Sequence, residues 1–372
     1  MLWKYRLDCL YTLRRISRIQ VRRDLVMDDG IEAFCVHIHP NWKGRQSMYT
    51  YSDQIRFEGE GALFKGNTHC HSTSSDGRLS AEVVAHRYRE AGYSFLCFTE
   101  HERFTDRHDL NADGFIVIPA AEWSCNSDGA DGREGRCHHI NLIEGTQAML
   151  DAAPLGRYFA GDVLKRPIFE GVASVRKMLD IIHGHGCIAT YNHPVWSRVR
   201  PEEFGLLEGF AAMEVHNYSC ELEDFTGFCE TYWDNLLNDG SHICAVAADD
   251  NHNLKLPDDS CGGWIMVHAA ELTQDAIVQA IIDGDFYASS GPKIMRYGTK
   301  DGVAFVDCSG ANQVNFVAGG APNAGSTVWS LHGFDDITHA EHTISGRESY
   351  LRIRCQRLDG KIAWSQPLFP QP

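Results

Sequence analysis

Between about residues 64 and 290, short apolar runs alternate with stretches of helical periodicity, and run after run stops at a histidine or a carboxylate. The run 95–99 stops at Glu100-His101, and 115–121 stops at Glu122. The run 187–191 stops at Asn192-His193-Pro194, 210–213 at Glu214, and 243–248 at Asp249-Asp250 with His252 just beyond. Segments between them have helical spacing. Val83, Val84, Tyr88 and Ala91 follow Ser80, an N-cap residue, and precede Gly92, a stop signal. Val172, Val175, Met178, Leu179 and Ile182 precede Gly184 and Gly186. Wholly apolar runs between amphipathic helices predict an α/β fold whose parallel strands are buried on both faces. In such folds the carboxyl ends of the strands share one side and the active site forms there. Here the polar residues fall at those ends.

The chemistry of these residues is that of metal ligation. Gly66-Asn67-Thr68-His69-Cys70-His71-Ser72 is followed by Ser75-Asp76-Gly77. Residues two apart on a strand share a face, so His69 and His71 can grip one ion while Cys70 points away. The turn at 73–77 can return Asp76 to the same pocket. The further elements are His101, Glu122, Cys137-His138-His139-Ile140-Asn141, His193, and Asp250 with His252. Imidazole mixed with carboxylate suits Zn, Mn or Fe, and the lack of Cys-rich spacing excludes a structural zinc finger. His37-Ile38-His39 has no nearby carboxylate turn and is read as structural.

Composition sets the remaining bounds. The chain has 372 residues, enough for one large domain with smaller ones. The net charge of -16 argues against a dedicated nucleic-acid binder, although bound cations would offset part of it. The 13 cysteines include no Cys-x-x-Cys pair and are an odd number, which predicts free thiols and a reducing, cytoplasmic setting. No apolar run approaches the roughly 20 residues of a membrane span. The basic start, with Arg14, Arg15, Arg18, Arg22 and Arg23, lacks the apolar segment of a signal peptide. The expected organisation is a β-rich N-terminal extension over 1–64, a hydrolase domain over 65–291 and a small β-sandwich-like module over 292–372.

Taken in order, the elements from His69-x-His71…Ser75-Asp76-Gly77 to Asp250-x-His252 resemble the motifs of the PHP (polymerase and histidinol phosphatase) superfamily. Tyr287-Ala288-Ser289-Ser290-Gly291-Pro292 and Ala363-Trp364-Ser365 resemble its carbaryl-hydrolase-like subgroup. The resemblance implies a distorted (β/α)7 barrel with two or three divalent ions. It implies that His69, His71, Glu122 and Asp250 hold the first, that Glu122, His139 and His193 hold the second, and that Asp76, His101 and His252 hold the third. His138 competes with His139 and Asp249 with Asp250. The His-Ile-Asn-Leu sequence favours His139, and the spacing to His252 favours Asp250.

The expected activity is metal-dependent hydrolysis of a small phosphate ester, with Asp250 and Glu122 at the reacting centre and Arg103 and Arg198 as phosphate clamps. Glu214 and Asn217 are candidates for supporting the ligands. The segments 125–137 and 145–169, with Trp196, are expected to shape the pocket. The same metal site would equally attack a carboxylic ester, carbamate or amide carbon. A third possibility is a non-catalytic metal-binding interaction module.

Overall fold

The computed structural model describes residues 34–35, 49–126, 136–204 and 208–371. The basic start, the run 36–39 with its His37-x-His39 pair, and residues 127–135 of the insertion after Cys125 lie outside these. The chain divides into two compact units. One comprises Arg56–Gly291 with Lys361–Pro367, and the other Met1–Ile55, Pro292–Gly360 and Leu368–Pro372.

In chain order the strands are β1 (Phe34–Cys35), β2 (Gln54–Arg56), β3 (Ala62–Asn67), β4 (Phe95–Phe98), β5 (Ile116–Asn126), β6 (Cys137–Glu144), β7 (Cys187–Tyr191), β8 (Ala212–Asn217) and β9 (Cys244–Ala248). They continue with β10 (Trp264–Ala269), β11 (Phe286–Ser289), β12 (Ile294–Lys300), β13 (Val303–Ala311), β14 (Gln313–Ala318), β15 (Ser326–Trp329), β16 (Ile337–Thr343), β17 (Leu351–Gln356) and β18 (Ile362–Ser365).

The first unit is built on β3 to β9 in sequence order. Strands β4, β7 and β9 are buried along their whole length, as strands covered on both faces must be. Pairing is parallel from β3 to β5 and again from β7 to β9. Strand β6 runs antiparallel to both its neighbours. An antiparallel neighbour needs no helical crossover, and no helix separates β5 from β6 among the described residues. The parallel pair β4 and β5 is joined through only the short 3-10 turn His108–Leu110. The arrangement is thus a mixed α/β fold with many strands and few helices, more sheet-rich than the distorted (β/α)7 barrel that the resemblance implies. Beyond the ends of β3 and β9 the two backbones meet. Cys70 bridges Asn251 in parallel register, the His71 N–H donates to the Asn251 carbonyl at 3.1 Å, and the Asp250 N–H donates to the His69 carbonyl at 3.0 Å. Strands β10, β11 and β18 extend the sheet from β3 in antiparallel pairing.

The helix Ala81–Glu90 buries Ala81, Val84, Ala85 and Tyr88, a stripe at i, i+3, i+4 and i+7. Val83, expected on that stripe, faces solvent. Ser80 takes the N-cap position with extended backbone but makes no side-chain capping bond. Gly92 follows the helix at φ 78°, the left-handed conformation that glycine adopts most readily. The helix Val172–Gly184 buries Val175, Met178, Leu179 and Ile182.

The second unit is made of antiparallel strands. Strand β13 pairs with β12 and β16, and β14 pairs with β15 and β17. Its buried side chains include Tyr297, Val306, Val314, Phe316, Leu351 and Ile353. The eleven cysteines from Cys70 to Cys355 are free thiols. No helix among these residues is long and apolar enough to cross a membrane.

Candidate metal centre

The strand ends of the first unit bring nine side chains together. His69 and His71 follow β3, and their rings lie 5.3 Å apart between centroids. Cys70 turns into the apolar core, so it is no ligand. Glu122 lies within β5 and is almost wholly buried. His139 comes from the start of β6. Because that strand is reversed, its beginning lies beside the end of β5, with His139 opposite Ser124. His193 follows β7 and Asp250 follows β9, at φ 22° and φ 52°. Such values are uncommon for these residue types, and neighbouring backbone hydrogen bonds from Ser197 to His193 and from Asp250 to His69 hold them.

Two carboxylates tie the cluster together. Glu122 Oε1 lies 3.3 Å from His69 Nε2, 3.0 Å from His139 Nδ1 and 3.6 Å from His193 Nε2. Its Oε2 lies 3.0 Å from His101 Nδ1 and 3.5 Å from His71 Nε2. Asp250 Oδ1 lies 3.1 Å from His69 Nε2 and 3.0 Å from His71 Nε2, and its Oδ2 lies 3.7 Å from His193 Nε2. On the outer side, Asp76 Oδ2 lies 3.3 Å from His101 Nε2 and 3.6 Å from His252 Nε2. Four overlapping groups result, each with ligand atoms within 4.8 Å of one another. They are His69, His71 and Glu122; His69, His193 and Asp250; Glu122, His139 and His193; and His71, Asp76, His101 and His252.

A ring of further groups sets the orientation of these side chains. Glu214 Oε1 takes His69 Nδ1 at 2.6 Å, while its Oε2 accepts from the His193 N–H at 2.9 Å and from Asn217 Nδ2 at 2.8 Å. Asn217 Nδ2 also reaches Asp250 Oδ2 at 3.2 Å. Asn192 Nδ2 donates to Glu122 Oε1 at 2.7 Å and to Asn141 Oδ1 at 2.9 Å. Ser197 Oγ lies 3.1 Å from His193 Nδ1.

These residues suit divalent cations. With the His69 proton on Nδ1, where Glu214 accepts it, the Nε2 lone pair is buried without a hydrogen-bond partner and faces oxygens of Glu122 and Asp250. A lone pair against two anions is repulsive unless a cation lies between them. Imidazole nitrogens held by carboxylates behind them, with carboxylate oxygens alongside, form the donor set that Zn, Mn or Fe takes.

Without such ions, His69, His101, His139 and His252 hold protons more tightly than an ordinary imidazole. Burial lowers the affinity of His101, His139 and His252 for protons, but carboxylate neighbours outweigh it. Asp76 and Glu122 push His101 up to about 11, Glu122 lifts His139 to about 10, and Asp76 and Asp250 lift His252 to about 9. His69 is raised despite burial by Asp250, Glu122 and Glu214. Glu122 and Asp250 are held below the ordinary carboxylate range by the surrounding imidazoles, against the burial that would raise them. A metal ion entering the cluster would displace those protons.

The two competing pairs separate cleanly. His138 Nδ1 lies 2.6 Å from Tyr191 Oη and its ring stacks on Phe169, away from the cluster. Burial, with Arg136 and His139 nearby, lowers its pKa to about 4. Asp249 accepts the backbone N–H groups of Cys261, Gly262 and Gly263 at 2.7 to 2.8 Å and the Tyr88 hydroxyl at 2.6 Å. Burial raises it to about 6 in this structural role.

The predicted phosphate clamps behave differently. Arg198 turns to Asp224 at 3.0 Å and to the Val195 carbonyl, so its guanidinium is engaged by a neighbouring helix end. Arg103 is exposed, two residues after His101. Arg166, which the sequence reading did not single out, is a further cation on this side of the unit. Residues 161–164 lie along 102–104, with the Leu164 N–H donating to the Glu102 carbonyl and the Phe104 N–H to the Asp162 carbonyl, each at 2.9 Å. Arg166 then grips Glu102 through Nε at 3.2 Å and Nη2 at 2.7 Å, and its field reaches Glu122. Trp196 stands against His193 and His139, at 4.9 and 5.8 Å between ring centroids.

No family model matches the chain. A segment of 59 residues is 37% identical to the DNA polymerase/3'-5' exonuclease PolX of Bacillus subtilis (strain 168), covering 16% of this chain. The chain thus spans 10% of that polymerase's length. Among solved structures, the chain is similar to a two-domain protein from Bacteroides vulgatus ATCC 8482 containing a predicted PHP-like metal-dependent phosphoesterase. They are 13% identical with a TM-score of 0.42, over 87% of this chain and 100% of that one. It is also similar to an amidohydrolase from Chromobacterium violaceum with bound sulfate, 14% identical with a TM-score of 0.38, over 59% of this chain and 96% of that one.

Proposed function

We propose that this chain is a metal-dependent phosphoesterase of the PHP type, acting on a small phosphate ester at the Glu122–Asp250 cluster. The observation that carries the reading is the overlap of the four ligand groups through shared Glu122, His69, His71 and His193. Shared ligands hold neighbouring cations close enough to act on one substrate. Bound divalent ions would supply Lewis acidity and acidify water at neutral pH.

The assigned holders are His69, His71, Glu122 and Asp250 for one ion, Glu122, His139 and His193 for a second, and Asp76, His101 and His252 for a third. Glu122 and Asp250 are the residues nearest the reacting atoms. Asp250, whose Oδ2 accepts a hydrogen bond from Asn217 Nδ2, would orient the attacking water. Arg166 and Arg103 supply positive charge near the cluster for the anionic substrate. The seven strands β3 to β9, with their linked ends, serve as a distorted barrel that gathers these residues.

The test is a substrate panel on protein loaded with Mn or Zn: phosphomonoesters, cyclic phosphates, oligonucleotides, aryl esters and carbamates. The expected result is turnover of small phosphate esters that chelation abolishes and metal restores. Turnover of carbamates or carboxylic esters with none of phosphate esters would overturn the choice of electrophile. Metal-loaded protein inert to every member would favour a binding module instead.

A further inference from the structure

Glu100 is a buried carboxylate that the cluster itself does not use. It follows β4 and lies beneath the turn that carries Asp76. The Ser72 N–H donates to its Oε2 at 3.2 Å, the Ser75 hydroxyl donates to the same oxygen at 2.5 Å, and the Ser72 hydroxyl donates to Oε1. The turn also closes on itself, because the Ser75 and Gly77 N–H groups donate to the Ser72 carbonyl at 3.1 and 2.9 Å. Gly77 is required there, since a Cβ would lie 2.7 Å from the His71 carbonyl carbon.

The arrangement bears on an ambiguity in His71. Its Nε2 faces Asp250 and Glu122, while its Nδ1 faces Ser75 Oγ at 3.4 Å and Asp76 Oδ1 at 3.7 Å. It therefore borders both the inner and the outer ligand groups. A neutral imidazole carries its proton on one nitrogen and offers a lone pair on the other. The Ser75 hydroxyl has one proton, and it is donated to Glu100 at 2.5 Å in preference to Asp76 Oδ1 at 3.3 Å. What Ser75 then presents to His71 is a lone pair, which calls for a proton on Nδ1. Asp76, also an acceptor, asks for the same tautomer.

We propose that Glu100, acting through Ser75, is a positioning residue that holds the His71 proton on Nδ1. His71 Nε2 is thereby committed to the Glu122–Asp250 side, and the outer position is left to Asp76, His101 and His252. An outer position with three protein ligands keeps coordination open for substrate or water. The inference rests on the reading of the cluster as a metal centre. It adds a role for Glu100 and Ser75, which hold no ion themselves.

The experiment uses the full chain, with zinc as the probe. Zinc affinity is measured by chelator competition for the wild type, Glu100→Gln, Ser75→Ala and Ser75→Thr, alongside melting of the metal-free forms. The nitrogen signals of His71 in the zinc-loaded protein are assigned with a His71→Gln variant. Ser75→Ala and Glu100→Gln are expected to weaken the tightest site about 10- to 100-fold. Ser75→Thr, which keeps the hydroxyl, is expected to restore it. In the wild type, His71 should carry its proton on Nδ1 and zinc on Nε2. Unchanged affinity in Ser75→Ala, equal loss in Ser75→Ala and Ser75→Thr, or zinc on Nδ1 would overturn the role of Glu100 while leaving the metal centre intact. Failure of the wild type to bind zinc, Mn or Fe would remove the metal centre, and this inference with it.

Discussion

Glu214 is the most informative side chain to alter, because it touches two of the proposed ligands, His69 and His193, without itself belonging to any of the four groups. Three donors converge on its carboxylate: His69 Nδ1, the His193 N–H and Asn217 Nδ2. Glu214→Gln keeps the shape but replaces one acceptor oxygen with a donor. Whichever way the amide settles, at least one buried donor then faces an NH2 group. If the amide oxygen stays on His69, the clash falls on the His193 backbone and Asn217. If it flips, His69 loses the acceptor that fixes its tautomer, and its lone pair can leave the cluster. An unsatisfied buried donor costs about 1–3 kcal/mol. Loss of a carboxylate behind a ligating histidine typically costs 10- to 100-fold in affinity, or about 1.4–2.7 kcal/mol. The two figures agree, so the expected result is a 10- to 100-fold weaker zinc affinity by chelator competition. Circular dichroism should show the fold retained. A folded Glu214→Gln protein with wild-type zinc affinity would refute the claim that this carboxylate orients His69.

Further outcomes follow from the same geometry. His69→Ala and Asp250→Ala are each expected to reduce turnover below detection while the far-ultraviolet spectrum stays native; wild-type rates in either would count against the assignment. Arg166→Ala is expected to raise KM for an anionic phosphate ester about tenfold, or about 1.4 kcal/mol, with metal content unchanged. An equal effect on a neutral ester would show that the charge is not the cause. In the second unit, burial raises Glu348, but the His342 imidazole 3.5 Å away and hydrogen bonds from the Ser345 N–H and hydroxyl outweigh it and hold the carboxyl at about 2, against an ordinary 4.5. A depressed carboxyl stabilises the fold fully above the unfolded value, and that stabilisation is lost as the pH falls from about 4.5 towards 2. The shift corresponds to at most about 3 kcal/mol. Glu348→Gln should therefore flatten the acid limb of the melting-temperature profile between pH 5 and pH 3, and an unaltered limb would contradict the pairing.

The strand ends were the most legible part of this sequence. Apolar runs stop at His101, His193 and Asp250, just past β4, β7 and β9, where strands buried on both faces give way to polar residues, whereas Glu122 lies inside β5, which runs on to Asn126. Spacing to His252 made Asp250 rather than Asp249 the sequence's candidate; in the structure Asp250 faces His69, His71 and His193, while Asp249 is taken up by backbone N–H groups. The direction of β6 was not readable. An apolar run looks the same whichever way it is threaded, and the reversal shows only in the register of β5 against β6. Arg198 lies five residues from His193, yet a left-handed backbone at φ 57° turns it to Asp224. Arg166 lies far from Glu102 in sequence, and nothing local marks their contact. Val83 was misplaced because the buried stripe includes Ala81 and Ala85, whose small side chains give little signal in an apolar pattern. The return of Lys361–Pro367 to the first unit is likewise a long-range event. There β18 pairs with β11, and Gln366 exchanges two hydrogen bonds of 2.8 Å with the backbone of Ala245.

The most direct measurement is anomalous diffraction from crystals of the full chain grown with manganese, recorded near the manganese edge. The expected result is two or three peaks within bonding reach of His69, His71, Asp76, His101, Glu122, His139, His193, Asp250 and His252, with Glu122 touching two of them. Manganese at saturating concentration with no peak in this cluster, or a peak elsewhere on the chain alone, would contradict it.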